Sequence, residues 1–180
     1  MEWMQESIFH RLYDKYHSDV FNFLIYLVKN RSVAEDLSHE VYVRVLKAYD
    51  RFEGKSSEKT WLFSIAKNVA IDHFRKSAVR DRHSFTAFEW ETEQLRSSEQ
   101  TPEQFTELGD QMRELLAALE QCTGDQKMVI VMRYFQELSI TETAEILGWT
   151  EGKVKTTQHR AIKQLRERLI QDEEREANSR

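Results

Sequence analysis

Ser139 to Leu169, SITETAEILGWTEGKVKTTQHRAIKQLRERL, predicts two helices joined by a tight turn. Ser139 can N-cap the first helix, with Glu142 three residues later completing a capping box. Ala144 is small enough for two helices to cross closely, and Gly148 supplies the positive φ that a short inter-helix turn needs. Thr150 can cap the second helix. On that helix, with Val154 at 0° and ~100° per residue, Gln158, Ala161, Ile162, Leu165 and Leu169 fall within ~80° of it. The opposite face carries Lys153, Thr156, His159, Arg160 and Lys163. An aliphatic inner stripe under a basic, hydroxyl-bearing outer one is the pattern of a helix-turn-helix whose second helix enters the major groove of DNA.

A charged outer face is often only a solvated one. Here residues 152–170 hold six Lys/Arg against the single acid Glu167, a net +5. The order small residue, glycine, β-branched residue (Ala144, Gly148, Val154) also meets what two closely crossing helices require. Both features favour nucleic acid over simple solvation.

The remaining chain is consistent with that reading. Five Gly and one Pro in 180 residues, with long 3.6-period stretches and little alternation, predict an all-α chain. No apolar run approaches the ~20 residues that cross a bilayer, and no signal peptide precedes the first helix, so a cytoplasmic location is expected. The one cysteine, Cys122, excludes an intramolecular disulfide and a cysteine-rich zinc site, and is expected in a partly buried position. The net charge of −5 is unevenly spread: residues 1–80 carry 13 basic and 11 acidic side chains, 81–124 carry 3 and 10, and 125–180 carry 10 and 10. Phosphate attraction is screened beyond about 8–10 Å, so the local distribution decides.

Helical spacing of Phe9, Leu12, Tyr13, Tyr16, Val20, Phe21, Leu24, Leu27 and Val28 predicts a first helix from near Trp3, with all nine side chains facing a core. Ser32, with Glu35, is expected to cap a second helix that turns Leu37, Val41, Val45 and Ala48 inward and lines up Asp36, Glu40, Val43 and Lys47 elsewhere. After the polar break EGKSSEK (53–59) comes TWLFSIAKNVAIDHFRK, with Leu62, Ile65, Ala66, Val69 and Phe74 inward. Residues 59–82 hold six basic side chains, among them Lys59, Lys67, Arg75 and Lys76, against Asp72 and Asp81. Cations mixed with aromatics suit single-stranded nucleic acid. Phe63 and Phe74 are read as core, while Trp61 stays open between core and base stacking. Residues 83–107 predict an acidic linker, Arg96 against six Glu, whose Phe85, Phe88 and Trp90 suggest docking on a partner. Thr101-Pro102-Glu103 is a helix start. Leu115, Leu116 and Leu119, a turn at Thr123-Gly124-Asp125, and the helical QKMVIVMRYFQ lead into the helix-turn-helix. The expected architecture is two small helical domains, 1–82 and 108–172, the second holding the helix-turn-helix, with an acidic tail at 173–180.

With these segments on one chain, the sequence resembles the extracytoplasmic-function (ECF) sigma factors of bacterial RNA polymerase. AEDLSHEVYVRVLKAYDRFEG and KTWLFSIAKNVAIDHFRK are similar to the first conserved sigma domain, and Leu115 through Leu169 to the second. FEGKSSEKTWL and VKTTQHRAIKQLR resemble the sigma-X branch of Gram-positive bacilli. The resemblance implies that Asp36, Leu37, Glu40 and Val43 lie where sigma factors dock on the β′ clamp helices of the polymerase, and that the β flap is a second contact. It implies that Lys59, Trp61, Lys67, Asn68, Arg75 and Lys76 serve the melted downstream promoter element, with Asn68 at the position that contacts an extruded base. An Asn offers a base edge both donor and acceptor; a packing or capping role is its alternative. It places upstream-element contacts at Lys155, Thr156, His159 and Arg160, of which the helical wheel selects the last three independently; Lys155 and Thr157, on its flanks, suit phosphates. The implied partners are core RNA polymerase, promoter DNA and an anti-sigma factor, often membrane-anchored.

Read from the residues alone, two other classes stay open. A stand-alone helix-turn-helix regulator explains the C-terminal half but leaves the basic, aromatic stretch 59–82 without a purpose. A nucleic-acid enzyme using Asp36 and Glu40, one helical turn apart, lacks a third metal ligand. No catalytic residue, metal site or cofactor is expected.

Overall fold

A computed structural model describes residues 2–82, 107 and 109–179, and every regular element among them is a helix, joined by short turns. The first half consists of α1 (Glu2–Val28), α2 (Arg31–Ala48), a 3-10 turn at Tyr49–Arg51 and α3 (Glu58–Arg82). The second holds α4 (Asp110–Leu119), α5 (Gly124–Ile130), a π-helical segment (Val131–Phe135), α6 (Ile140–Leu147) and α7 (Glu151–Asn178). The linker aromatics Phe85, Phe88 and Trp90 and the helix start at Thr101 lie outside the described residues.

Local chemistry sets the helix ends. Asn30, not Ser32, caps α2: its Oδ1 accepts from the Val33 N–H at 3.0 Å, so the helix begins at Arg31, earlier than expected. Ser57 Oγ accepts from the Thr60 N–H at 3.0 Å at the start of α3. Within the expected turn 123–125, Thr123 and Gln126 form a full capping box that starts α5. The predicted helix QKMVIVMRYFQ runs α-helical only to Ile130. It then widens into the π segment, where the Gln136 N–H reaches the Val131 carbonyl at 3.0 Å, and Glu137 turns the chain with φ 54°.

The expected core is present and larger than the amphipathic stripes indicate. Leu12, Tyr16, Val20, Leu24, Leu27 and Val28 of α1 are buried as predicted, as are Leu62, Phe63, Ala66, Val69 and Phe74 of α3. Tyr13 is a correction: it is 40% exposed, because α1 presents it to the open cleft beside α2. Phe23 and Ile25, outside the predicted stripe, are wholly buried. The reason is tertiary. The Phe23 ring meets Phe63 of α3 edge-on at 5.4 Å, while the π segment packs on α1 and α6 on α3, so one continuous hydrophobic cluster spans both halves.

That seam also contains charge. Lys127 Nζ, on α5, is 1% exposed; it donates to the Leu27 carbonyl at the end of α1 (3.2 Å) and meets Glu120 Oε1 at 2.5 Å. Lys29, just beyond α1, reciprocates by donating to the Leu116 carbonyl of α4 (3.0 Å) and meets the same Glu120 oxygen at 3.2 Å. Each half thus places an ammonium on the negative end of a helix belonging to the other. Tyr26 and Phe135 add a ring contact at 4.4 Å. Cys122 is fully buried, and desolvation pushes its thiol up to about 11.

Candidate nucleic-acid interface

The helix-turn-helix forms by local rules. The Glu142 N–H donates to Ser139 Oγ (3.1 Å) and the Ser139 N–H to Glu142 Oε2 (2.7 Å). These bonds hold the Glu142 carboxyl below its usual range, with Lys59 adding a smaller pull. Gly148 ends α6 at φ 68°. Thr150 Oγ1 accepts from the Lys153 N–H at 3.2 Å at the start of α7, and Thr141 Oγ1 donates to Glu151 at 2.7 Å across the turn. Val154, Ala161 and Leu165 are buried, and Val154 packs with Ala144 and Val129 where the two helices cross.

The opposite face is turned to solvent. Lys153, Lys155, Thr156, His159, Arg160 and Lys163 are all exposed, while Thr157 is half-buried. Three supports escape the motif reading. The Lys153 ammonium lies 4.0 Å over the Trp149 ring and 4.0 Å from Asp125, which steer it before any ligand arrives. Arg133 donates to Gln158 at 2.9 Å and to the Leu138 carbonyl, tying the π segment to α7. A single charge inside the otherwise apolar and aromatic run MVIVMRYF is the sequence signal that could have singled out Arg133.

On α3 the structure divides the six predicted residues. At ~100° per residue Trp61, Asn68, Arg75 and Lys76 share one side. Asn68, Arg75 and Lys76 are exposed there. Trp61 is half-buried, with Phe52 at 4.9 Å and Tyr49 at 5.9 Å. Lys59 and Lys67 lie on the other side. Lys59 donates to the Gln136 carbonyl of the second half at 3.5 Å, and Lys67 is half-buried, its ammonium pKa lowered by desolvation. The geometry therefore separates these two lysines from the exposed row.

On α2, Asp36 is exposed and Glu40 and Val43 are half-buried. Leu37 is 7% exposed and packed in the core, as its place on the inward stripe predicts, so it supports the face from beneath. Arg44, which sequence reasoning missed, links Glu40 (2.5 Å) with Asp72 of α3 (3.1 Å). Among the described residues no group of three His, Cys, Asp or Glu side chains is placed to share a metal ion.

With both faces in view, comparison with known proteins is informative. Residues 12–80 match the family described as Sigma-70 region 2, and residues 112–165 match Sigma-70, region 4. The chain is 49% identical to the ECF RNA polymerase sigma factor SigX of Bacillus subtilis, over 91% of this chain and 84% of that one. It is 32% identical to the RNA polymerase sigma factor YlaC of the same organism, over 92% and 94% of the two. Among solved structures, the sigma factor RpoE of Bartonella quintana, crystallised with the anti-sigma factor NepR, superposes with a TM-score of 0.67 at 25% identity, over 90% of this chain and 96% of that one.

Proposed function

Because the chain belongs to the ECF sigma factors of bacterial RNA polymerase, we propose a division of labour among the residues described above. The exposed row of α7 (Lys153, Lys155, Thr156, His159, Arg160 and Lys163) reads the upstream promoter element as duplex. Arg160 and His159 offer donors to base edges, the lysines meet phosphates, and Thr157 supports the row from its half-buried flank. Asn68, Trp61, Arg75 and Lys76 on the outer side of α3 hold the separated strand of the downstream element. There a ring and an amide recover part of the few kcal/mol that unstacking costs. Lys59 joins them only if its bond to the Gln136 carbonyl opens, and Lys67 only if its half-buried ammonium turns outward.

Asp36, Glu40 and Val43, with Arg44 fixing the Glu40 carboxylate, form the surface for the clamp helices of core polymerase. The chain acts as a dissociable specificity subunit; bond making and breaking belong to the polymerase. No described helix is long and apolar enough to cross a membrane, and the site of action is the cytoplasm, where the polymerase works. An anti-sigma factor is the expected inhibitor, as the likeness to RpoE, solved with NepR, supports.

One observation carries this reading: two exposed basic surfaces of different character, one on a helix-turn-helix and one on an aromatic helix, occur on a single chain. Run-off transcription with purified core polymerase tests it. A transcript that starts only when the protein is added supports the assignment. Promoter binding with no transcript would return the chain to the class of stand-alone regulators.

A further inference from the structure

An open groove of about 620 Å³ runs along the second half, and none of the surfaces above uses it. Met112 and Leu115 of α4 and Tyr134 of the π segment line one side, and the C-terminal half of α7 lines the other. Tyr134 and Ile170 stand 53% and 48% exposed along it. Single apolar side chains at a surface are ordinary, whereas a continuous apolar groove marks an interface.

The side supplied by α7 carries an order that selects its partner. At ~100° per residue, Ile162, Arg166, Leu169, Ile170, Glu173 and Ala177 fall within ~50° of one direction. The first five line the groove, and Ala177, exposed, continues the stripe. The stripe reads alike from both ends about the point between Leu169 and Ile170. Three residues before Leu169 stands a cation, Arg166, and three after Ile170 an anion, Glu173. Seven before Leu169 is Ile162, and seven after Ile170 is Ala177. Arg166 and Glu173 are both exposed and lie about 10 Å apart along the helix axis, too far to pair with each other. No hydrogen bond or ion pair joins either to another described residue. Asp172 and Arg175, off the stripe, do meet each other at 3.9 Å.

We propose that this groove is the interface of a homodimer in which two copies of α7 pair antiparallel about a twofold axis at Leu169 and Ile170. A second copy running in the opposite direction sets each Arg166 against the partner's Glu173. It sets each Ile162 against the partner's Ala177, large opposite small, while Leu169 and Ile170 lie at the axis. Each contact is made twice, as an isologous interface requires. A parallel pair would bring Arg166 to Arg166 and Glu173 to Glu173, so charge fixes the direction as well. A purely apolar helix laid in the groove would leave both charges covered and unpaired. The inference is independent of the promoter reading.

Sedimentation velocity of the full chain over a concentration series tests it. The protein is expected to pass from monomer to dimer as concentration rises. Arg166→Glu and Glu173→Arg each oppose like charges twice per dimer, and each should raise the dissociation constant at least about tenfold. An equimolar mixture of these two variants should dimerise again, because both contacts are complementary in the mixed pair. The double variant R166E/E173R should match the parent within about threefold. Arg175→Glu alters net charge as Arg166→Glu does, but on the far side of the helix, and should leave the dimer intact. All three positions are exposed, so the variants keep the fold, which circular dichroism checks. A monomer at every concentration up to about 100 μM would overturn the proposal. If Ile170→Asp then weakened binding to core polymerase, the groove would belong to the polymerase instead. The proposal also fails if Arg166→Glu and Arg175→Glu weaken the dimer equally, or if the two single variants stay monomeric when mixed.

Discussion

The helix-turn-helix and the seam between the halves are both fastened by helix-end chemistry, but over very different stretches of chain. Ser139 meets Glu142, Thr150 meets Lys153 and Thr141 meets Glu151, all within ten residues and all near solvent. Lys127 meets Leu27 across 100 residues and Lys29 meets Leu116 across 87. In the motif each cap satisfies a backbone group of its own helix and is worth about 1 kcal/mol. In the seam Lys127 is fully buried, Lys29 and Glu120 keep 14% and 22% of their side-chain surface, and each ammonium bonds a carbonyl of the other half. The motif is thus held by many short-range contacts, the seam by a few long-range ones that each half supplies to the other.

The largest effect should come from the seam. Lys127→Ala leaves the Leu27 carbonyl uncapped and Glu120 short of a cation, and is expected to cost about 3–5 kcal/mol in chemical denaturation. If the halves are energetically coupled through this contact, the loss should also split a single transition into two. An unchanged, single transition would mean that the seam contributes little.

Two changes probe the motif at intermediate size. Arg160→Ala should leave stability within about 0.5 kcal/mol, because the side chain is exposed. It should weaken duplex binding by about 1–3 kcal/mol if it reads a base, or reduce the salt slope by about one if it meets phosphate. A salt titration that shows neither removes it from the interface. Gly148→Ala meets no atom within 4 Å, so its expected cost of about 1–2 kcal/mol is backbone strain alone. Crowding cannot be blamed for it.

The smallest effects concern the cap. Ser139→Ala should cost about 1 kcal/mol. The Glu142 carboxyl titrates lower in the folded chain than in the unfolded one, so its contribution is present above the ordinary glutamate pKa of about 4.3 and fades as pH falls through the lower folded value. Glu142→Gln should flatten that part of the stability–pH curve. A curve as steep as the parent's would assign the acid loss to other carboxylates, Glu58 beside Arg11 first among them.

These contrasts follow how far each feature could be read in advance. The capping box, the glycine turn and the exposed row of α7 were legible because caps and helical faces act over three or four residues. Reading the first half by the same rules succeeded for Leu12, Val20 and Leu24, and failed where another element intervened. Asn30 took the cap assigned to Ser32, and α1 buried Phe23 and Ile25 against neighbours that no periodicity announces. Leu37 belonged to an inward stripe, and packing buries it as that stripe predicts. Lys59 and Lys67 counted toward a basic stretch in which charge was summed along the chain, but the helix turned them away from Asn68.

By itself, then, the amino-acid order determined an all-helical chain with a basic recognition helix, because local hydrogen bonding and amphipathic spacing need nothing beyond a few neighbours. The tertiary structure decided that Lys127 is buried against Glu120 and the end of α1, that Arg44 braces Glu40, and which lysines of α3 face outward. Burial and pairing of a charge depend on what distant segments bring to it. That is settled only when the helices pack.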